Sequence, residues 1–174
     1  DILDFSKIEV GKLDIEDIKF DLFRTVSSTV STISFKTNEK GLDLNLHLDD
    51  NIPKDLIGDP MRLRQVLINL LVNAANAVDK KDSWIKLNVN VNENWADHIL
   101  IEISDNGSGM DRETRQKIFD PFFTTKSTAD GTGLGLYICH NLIQGLGGRI
   151  DVESEPGKVS RFMVILPDQD RRKK

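Results

Sequence analysis

The stretch DPMRLRQVLINLLVNAANAVD, residues 59–79, decides the fold of this chain, because it predicts one long helix that the other motifs surround. Asp59 followed by Pro60 is typical of an N-cap with proline at the first helical position. At about 100° per residue, one broad arc is apolar: Leu63, Val66, Leu67, Leu70, Leu71, Ala74 and Val78. The opposite flank is also apolar, through Ile68, Val72 and Ala75. A helix that is apolar nearly all round is usually buried, so we expect this one in the core.

A single polar stripe runs between the two apolar flanks of this predicted helix: Gln65, Asn69, Asn73 and Asn76. Asparagine has a lower helix propensity than Glu, Lys or Gln, which favours a specific use over mere solvation. Its amide offers a neutral acceptor oxygen and two N–H donors. These groups suit a hydrated Mg²⁺ beside phosphates, because Mg²⁺ takes oxygen ligands and keeps several waters. An ordinary amphipathic helix with surface asparagines is the alternative that this stretch leaves open.

Composition narrows the class of protein. The chain has 174 residues, 39% hydrophobic and 29% charged, as expected for one globular domain. Its formal net charge is −5 and it has no basic patch, so we expect no nucleic-acid partner. Cys139 is the only cysteine, which excludes a disulfide framework and fits a reducing, cytoplasmic compartment. No apolar run has the length of a membrane span and no signal peptide opens the chain, so we expect no membrane contact.

Periodicity and capping signals predict a mixed α/β order of elements. The predicted helices are 1–10, 22–40, 59–79, 112–119 and 134–146. The predicted strands are 13–20, 42–48, 84–91, 98–104, 150–154 and 160–166, with a polar turn NENWAD at 92–97. This order predicts one α/β domain, an α+β two-layer sandwich with the helices on one face of the sheet. The opening ILDFSKIEV lacks an initiator Met, which indicates a piece of a longer protein.

The first glycine motif is DNGSG, residues 105–109. Alternation in the preceding strand places Asp105 on the same inward face as Ile99, Ile101 and Ile103. A carboxylate at the mouth of an apolar face needs a partner, and the amino group of adenine is one that donates where the carboxylate accepts. The flanking glycines would let the backbone approach the base closely. A simple Asn-Gly hairpin turn is disfavoured, because a helical segment follows in place of a second alternating strand.

The second glycine motif is GTGLGL, residues 131–136, which leads directly into a predicted helix. Glycines before a helix N-terminus present unpaired N–H groups to an anion. No Gly-Lys-Ser/Thr follows, so the motif is not a Walker A loop. A polar loop precedes it where the dinucleotide-binding fold needs a strand, which excludes that fold too.

The segment FDPFFTTKSTAD, residues 119–130, predicts a lid over the second motif. Phe119, Phe122 and Phe123 would anchor its base, and the plainer interpretation, core packing, is expected to hold for them as well. In this prediction Thr124–Asp130 would stay polar and free to move, and Lys126 would be its natural phosphate contact.

Four segments in this order resemble the N, G1, F and G2 boxes of sensor histidine kinases: NLLVNA (69–74), DNGSGM (105–110), FDPFF (119–123) and GTGLGL (131–136). The opening ILDFSKIEVGKL, residues 1–12, resembles the end of the second helix of that family's dimerisation and histidine-phosphotransfer domain. The resemblance implies a Bergerat-type (GHKL) ATP-binding fold over 13–167, with three main helices packed on one face of a mixed sheet. Residues 168–174 would be a polar tail.

The resemblance also implies roles for individual residues. Asn73 would bind Mg²⁺, Asn69 would support the metal or its water, and Lys126 would approach the phosphates; these three form the implied catalytic set. Asp105 would accept from the adenine amino group. The remaining implied ATP contacts are Asn76, Gly107, Gly109, Phe119, Thr132, Gly133, Leu134, Gly135, Leu136 and Ser160. Many members have Lys and an aromatic residue at positions 76 and 77, where this chain has Asn76 and Ala77, and the effect of this departure on adenine stacking and on one phosphate contact stays open.

By this resemblance, the chain would bind Mg-ATP and donate the γ-phosphate to a histidine on a dimerisation domain that the chain lacks. A receiver domain of a response regulator would be the second partner, and the full-length protein would be a homodimer. Whether the parent is membrane-anchored, and whether the fragment alone is a monomer, stay open. His47, His98 and His140 all lie outside the setting expected of the acceptor histidine.

Two alternatives remain. A GHKL ATPase or chaperone, such as gyrase, Hsp90 or the mismatch-repair proteins, uses a Glu as general base four residues before the metal Asn. Here that position is Asn69, which cannot take a proton from water at neutral pH. The other alternative is a degenerate nucleotide-binding module that signals by contact alone, and the four intact boxes argue against it.

Overall fold

The computed structural model describes residues 2–78, 82–91, 97–126 and 131–168. Its helices are α1 (Ile2–Glu9), α2 (Leu22–Glu39), α3 (Pro60–Ala77), α4 (Arg112–Lys117) and α5 (Gly135–Gly145). Its strands are β1 (Ile18–Asp21), β2 (Asp43–Leu48), β3 (Asp55–Gly58), β4 (Trp84–Val91), β5 (His98–Asp105), β6 (Arg149–Glu153) and β7 (Ser160–Pro167). None of the helices in these ranges is both long and apolar enough to cross a membrane.

The main sheet has five strands in the order β2-β4-β5-β7-β6. β2 and β4 are parallel, and every other neighbouring pair is antiparallel. A separate antiparallel pair, β1 and β3, contributes a two-stranded sheet. Helices α2, α3 and α5 pack on one face of the main sheet. The mixed two-layer fold with three main helices on one face is therefore confirmed.

The core lies between α3 and the inward face of the sheet. Asp59 caps α3 by accepting the Arg62 N–H at 2.9 Å, and Pro60 occupies the first turn. The predicted apolar arc is buried: Leu63, Val66, Leu67, Leu70, Leu71, Ala74 and Val78. Ile99, Ile101 and Ile103 of β5 face this arc and are at most 1% exposed. At ~25 cal/mol per Å² of buried apolar surface, this face supplies much of the driving force for folding.

One predicted strand is largely wrong. Of residues 13–20, only 18–20 belong to a strand, because β1 pairs with β3 over no more than the register Ile18↔Gly58 to Asp21↔Asp55. The Glu16 N–H donates to the Asp59 carboxylate at 3.2 Å and not to a neighbouring strand. Leu13 and Ile15 still alternate inward onto the core. The period-2 pattern was therefore that of an extended segment packed on the core without a partner strand.

Three other predictions fall partly outside the described residues. The long helix ends at Ala77 with Val78 extended, and 79 lies beyond the described range. Most of the predicted turn at 92–97 and of the polar tail at 168–174 also lies outside it.

Helix α1 is fastened to α3 through a polar cluster. The Asp4 carboxylate accepts from Arg62 Nη1 at 2.9 Å and from Gln65 Nε2 at 2.8 Å. Burial of the Asp4 carboxyl acts to raise its pKa, but the hydrogen bonds from Gln65 and Arg62 outweigh it and hold the pKa below the ordinary value. Asp4 is thus ionised and paired at neutral pH.

Candidate nucleotide-binding site

A cavity of about 550 Å³ opens beside the polar stripe of α3. It is bounded by α3, the end of β5, α4, the segment before α5 and the start of α5. Most of the predicted site residues line it: Asn69, Asn73, Asn76, Asp105, Gly109, Lys126, Thr132, Gly133, Gly135, Leu136 and Ser160. Motifs that lie far apart in the sequence therefore meet around one cavity, which is large enough for a nucleotide-sized ligand.

Asp105, the last residue of β5, is the acidic group of the cavity lining in the described ranges. Its side chain is only 2% exposed, as strand parity predicted. Oδ1 accepts the Gly107 N–H at 2.9 Å. Burial raises the pKa of this carboxyl, and the bond from Gly107 offsets only part of the increase. A desolvated acceptor of this kind is strongly stabilised by a ligand that donates a hydrogen bond.

Two buried serines tie the first glycine motif to the β6–β7 hairpin. Ser160 pairs in register with Asp105, and its hydroxyl lies 2.9 Å from that of Ser154. The Ser154 hydroxyl also accepts the Met110 N–H at 2.9 Å. The wall around the Asp105 carboxylate is therefore held by a hydrogen-bonded network.

The asparagine stripe contributes the neutral wall of the cavity. Asn69 Nδ2 is buried and makes no hydrogen bond that meets normal geometry within the described residues. Beside it, burial raises the pKa of the Cys139 thiol to about 12, which the Asn69 amide opposes only in part, so that thiol stays protonated. A buried donor without a partner is costly in a protein interior. Because Nδ2 itself is shielded from solvent, it meets the Cys139 thiol and not the contents of the cavity.

The donor set fits a hydrated Mg²⁺ better than a metal held by protein alone. No group of three or more His, Cys, Asp or Glu side chains suited to a metal occurs in the described ranges. The cavity instead offers the amide groups of Asn69 and Asn73, one turn apart on α3. Mg²⁺ accepts few protein ligands when waters and phosphate oxygens complete its shell. The residues present fit that mode of binding.

The second glycine motif forms a tight loop over the N-terminus of α5. Gly133 has φ +70°, and a Cβ there would lie 2.4 Å from the backbone carbonyl carbon of Phe122. Only glycine permits this approach. Leu134 is the N-cap of α5 and makes no side-chain capping hydrogen bond. The first N–H groups of α5 are therefore available to an anion.

Three predicted site residues do not line the cavity. Gly107 sits against the end of α3, where a Cβ would lie 2.3 Å from Ala77 O, so the residue positions the Asp105 loop. The Phe119 ring packs on His140 with the centroids 5.2 Å apart, which agrees with the core-packing alternative. The Leu134 side chain is 2% exposed in the core, which leaves only its backbone for a ligand.

The structure describes the predicted lid, residues 119–130, as far as Lys126. Thr124, Thr125 and Lys126 line the cavity, whereas residues 127–130 lie outside the described part of the chain. Phe123 also lines the cavity. Phe122 is 60% exposed, with its ring 5.1 Å from that of Phe5 on α1. The base of the segment is therefore anchored partly on α1 and not wholly in the core.

Several lining residues had no predicted role: Val72, Ala77, Ser108, Met110, Thr114, Ile118, Gly131 and Phe162. Thr114 and Ile118 follow each other at i, i+4 on and just after α4, so helical spacing could have placed them on one face. Nothing in the sequence around α4 indicates that this face meets a cavity, because that depends on how the helix docks. Arg115 fixes the docking by donating to Ser154 O at 2.9 Å.

Comparison with known proteins gives a consistent result. Residues 58–170 match the family described as histidine kinase-, DNA gyrase B-, and HSP90-like ATPase. The chain is 34% identical over 166 residues to the signal transduction histidine-protein kinase BarA of Escherichia coli, covering 93% of this chain and 18% of BarA. It is 39% identical over 171 residues to the sensor histidine kinase RcsC of Escherichia coli, covering 96% of this chain and 18% of RcsC. The chain thus spans less than a fifth of the length of these relatives.

Solved structures agree with the fold. The catalytic domain of histidine kinase ThkA, in a nucleotide-free form, superimposes with a TM-score of 0.76 at 30% identity, over 88% of this chain and 96% of that domain. Full-length ShkA in complex with AMPPNP gives a TM-score of 0.83 at 24% identity, over 95% of this chain and 34% of ShkA, a likeness in fold.

Proposed function

Since the chain belongs to the histidine kinase-, DNA gyrase B- and HSP90-like ATPase family, we propose that it is the ATP-binding catalytic domain of a sensor histidine kinase. It binds Mg-ATP and donates the γ-phosphate to a histidine on a dimerisation domain of the same protein. In this proposal residues 1–12 are the end of that domain's second helix, and 13–167 form the catalytic domain. A receiver domain of a response regulator takes the phosphate next, and the full-length protein works as a homodimer.

The observation that carries the proposal is that groups of opposed polarity line one cavity. Buried Asp105 supplies an acceptor for the adenine amino group. Lys126 and the uncapped N-terminus of α5 suit the phosphates. Asn69 and Asn73 line the same cavity from α3. A bound Mg²⁺ would neutralise phosphate charge; Asn73 would bind it and Asn69 would support the metal or its water.

The polar stripe favours transfer over hydrolysis. Activation of water needs a base near the γ-phosphate, and the α3 residue next to the N-terminus of α5 is Asn69, whose Cγ lies 3.9 Å from the position of a Cβ at Gly135. An amide does not accept a proton at neutral pH. The site therefore binds and orients ATP but leaves its γ-phosphate for an incoming imidazole, whose nitrogen forms a bond to phosphorus as the bond to the ADP oxygen breaks.

Calorimetric titration of ATP into the chain, with Mg²⁺ and then with EDTA, tests the nucleotide assignment. We expect saturable one-to-one binding that is weaker in EDTA. Lack of ATP binding under both conditions would refute the proposal. Strong binding that is unaffected by EDTA would refute the Mg²⁺ part alone.

A further inference from the structure

Lys40, the C-cap residue of α2, contacts the rim of the cavity from a different element than the motifs described above. The end of α3 borders the cavity through Asn76 and Ala77. Carbonyl groups at a helix C-terminus carry partial negative charge, which opposes an anionic ligand. Here Lys40 Nζ donates to Ala75 O at 3.1 Å and Ser108 N donates to Ala77 O at 3.1 Å. Both bonds reduce the negative potential that this helix end presents to the cavity.

The same ammonium group also fixes the orientation of a cavity-lining amide. Lys40 Nζ lies 2.9 Å from Asn76 Oδ1. The carbonyl and NH₂ ends of an asparagine are alike in shape, but an ammonium has donors only, so it selects the carbonyl oxygen. With Oδ1 directed to Lys40, the amide hydrogens on Nδ2 are left for the cavity that Asn76 lines. An amide held in this way is a ready donor to an anion.

The charged side chains of the cavity lining show why an oriented Asn76 amide matters for an anionic ligand. Lys126 is the only cationic side chain among the lining residues in the described ranges, and Asp105 contributes a negative charge. A nucleoside triphosphate needs further donors or positive charge along its phosphates. Resting on the proposed function, we infer that Lys40 is a positioning residue that turns the Asn76 amide so that its NH₂ group donates to the phosphates of bound ATP.

The test compares two ligands and two lysines. Affinities for Mg-ATP and for adenosine are measured by calorimetry on the whole chain and on Lys40→Met, which keeps the apolar stem and removes the ammonium. The control is Lys36→Met, which removes a positive charge from another exposed side chain, one turn earlier on α2. We expect Lys40→Met to weaken ATP binding by roughly three- to tenfold, as for the loss of one hydrogen bond of ordinary strength. Adenosine affinity and the Lys36→Met variant should stay at wild-type values.

Combination with Asn76→Ala decides how Lys40 acts. If it acts through the amide, Lys40→Met has no further effect on ATP affinity in the Asn76→Ala background. In the ligand-free protein, the side-chain NH₂ resonances of Asn76 should shift and broaden in Lys40→Met, since the amide loses its fixed partner.

Each other outcome has a definite meaning. Equal weakening of ATP and adenosine would mean that Lys40 only stabilises the end of α3, and the inference would be wrong. A persistent effect in Asn76→Ala would show a direct contact of Lys40 with phosphate and would also overturn the positioning role, as would wild-type ATP affinity in Lys40→Met. Failure of the unmodified chain to bind ATP would instead defeat the proposed function, and this inference with it.

Discussion

Replacement of Asp105 by asparagine should separate nucleotide binding from stability. In the structure Asp105 Oδ1 already accepts the Gly107 N–H at 2.9 Å, so the second carboxylate oxygen is the acceptor for a ligand. In Asp105→Asn the carbonyl oxygen would keep the Gly107 bond. The NH₂ group would then occupy the ligand side, where it meets the adenine amino group donor to donor. The substitution is nearly isosteric and should therefore remove a single interaction.

The expected loss of nucleotide affinity follows from the type of hydrogen bond that Asp105→Asn removes. A hydrogen bond to a charged group contributes roughly 1.5–3 kcal/mol, which corresponds to about 10- to 150-fold in Kd. Affinity for ATP and for ADP should fall alike, because the adenine is common to both. Wild-type affinity should also decrease as the pH falls through the raised pKa of Asp105, since the protonated carboxyl no longer accepts at both oxygens. The variant should lack this pH dependence.

In Asp105→Asn the stability of the ligand-free protein should be kept or increased, although the affinity for ATP falls. Because burial raises the pKa of Asp105 in the folded state, the folded protein favours the protonated carboxyl more than the unfolded chain does. Any stability from this residue is present below the unfolded pKa and is lost as the pH rises through the folded pKa. At neutral pH the ligand-free Asp105→Asn protein should thus have a Tm equal to or above that of the wild type, and the difference should vanish in acid.

The assay is calorimetry for binding and thermal unfolding for stability, with Asp50→Asn in an exposed turn as the control. A variant that binds ATP like the wild type would refute the adenine assignment. A large fall in Tm at neutral pH would show instead that Asp105 holds the fold together.

Three further predictions concern other parts of the chain. Asn73→Ala should remove the Mg²⁺-dependent part of ATP binding, so that its affinity equals that of the wild type in EDTA; an equal loss in EDTA would contradict the metal role. Gly133→Ala should weaken ATP binding by about tenfold or more, because residues other than glycine are strained at φ +70°. Its control is Gly131→Ala, where an added Cβ meets only side-chain atoms at 3.6 and 3.8 Å, and equal losses in calorimetry would contradict the loop geometry. Asp4→Asn should lower the Tm by roughly 2–4 °C at pH 7, for about 1 kcal/mol; because the folded pKa of Asp4 is lowered, the difference should disappear as the pH falls through that pKa.

The fold could be predicted where burial and periodicity agree. Helix α3 was predicted because its apolar arc and Asp59 cap leave no competing structure for residues 60–77. Asp105 was placed correctly because strand parity is strict between Ile99 and the end of β5. The same kind of alternation gave a wrong strand prediction for residues 13–17, since it cannot distinguish a paired strand from an extended segment lying on the core.

The site could be predicted only as far as local motifs reach. Asn69, Asp105 and Gly133 belong to short sequence motifs that predict their chemistry. The structure brings all three to one cavity. Thr114 depends on the docking of α4, and the contact from Lys40 to Asn76 joins residues on two different helices. Contacts of this kind arise from tertiary packing, which no pattern within a single element specifies.

Transfer of radiolabelled phosphate from ATP tests the central claim most directly. The chain should neither label itself nor hydrolyse ATP rapidly, because Asn69 is not a base and no acceptor histidine is expected here. Mixed with a separate dimerisation domain that carries the acceptor histidine, it should label that domain. The label should be acid-labile and stable to alkali, as phosphohistidine is. Rapid ATP hydrolysis by the chain alone, or acid-stable label on serine or threonine, would contradict the account.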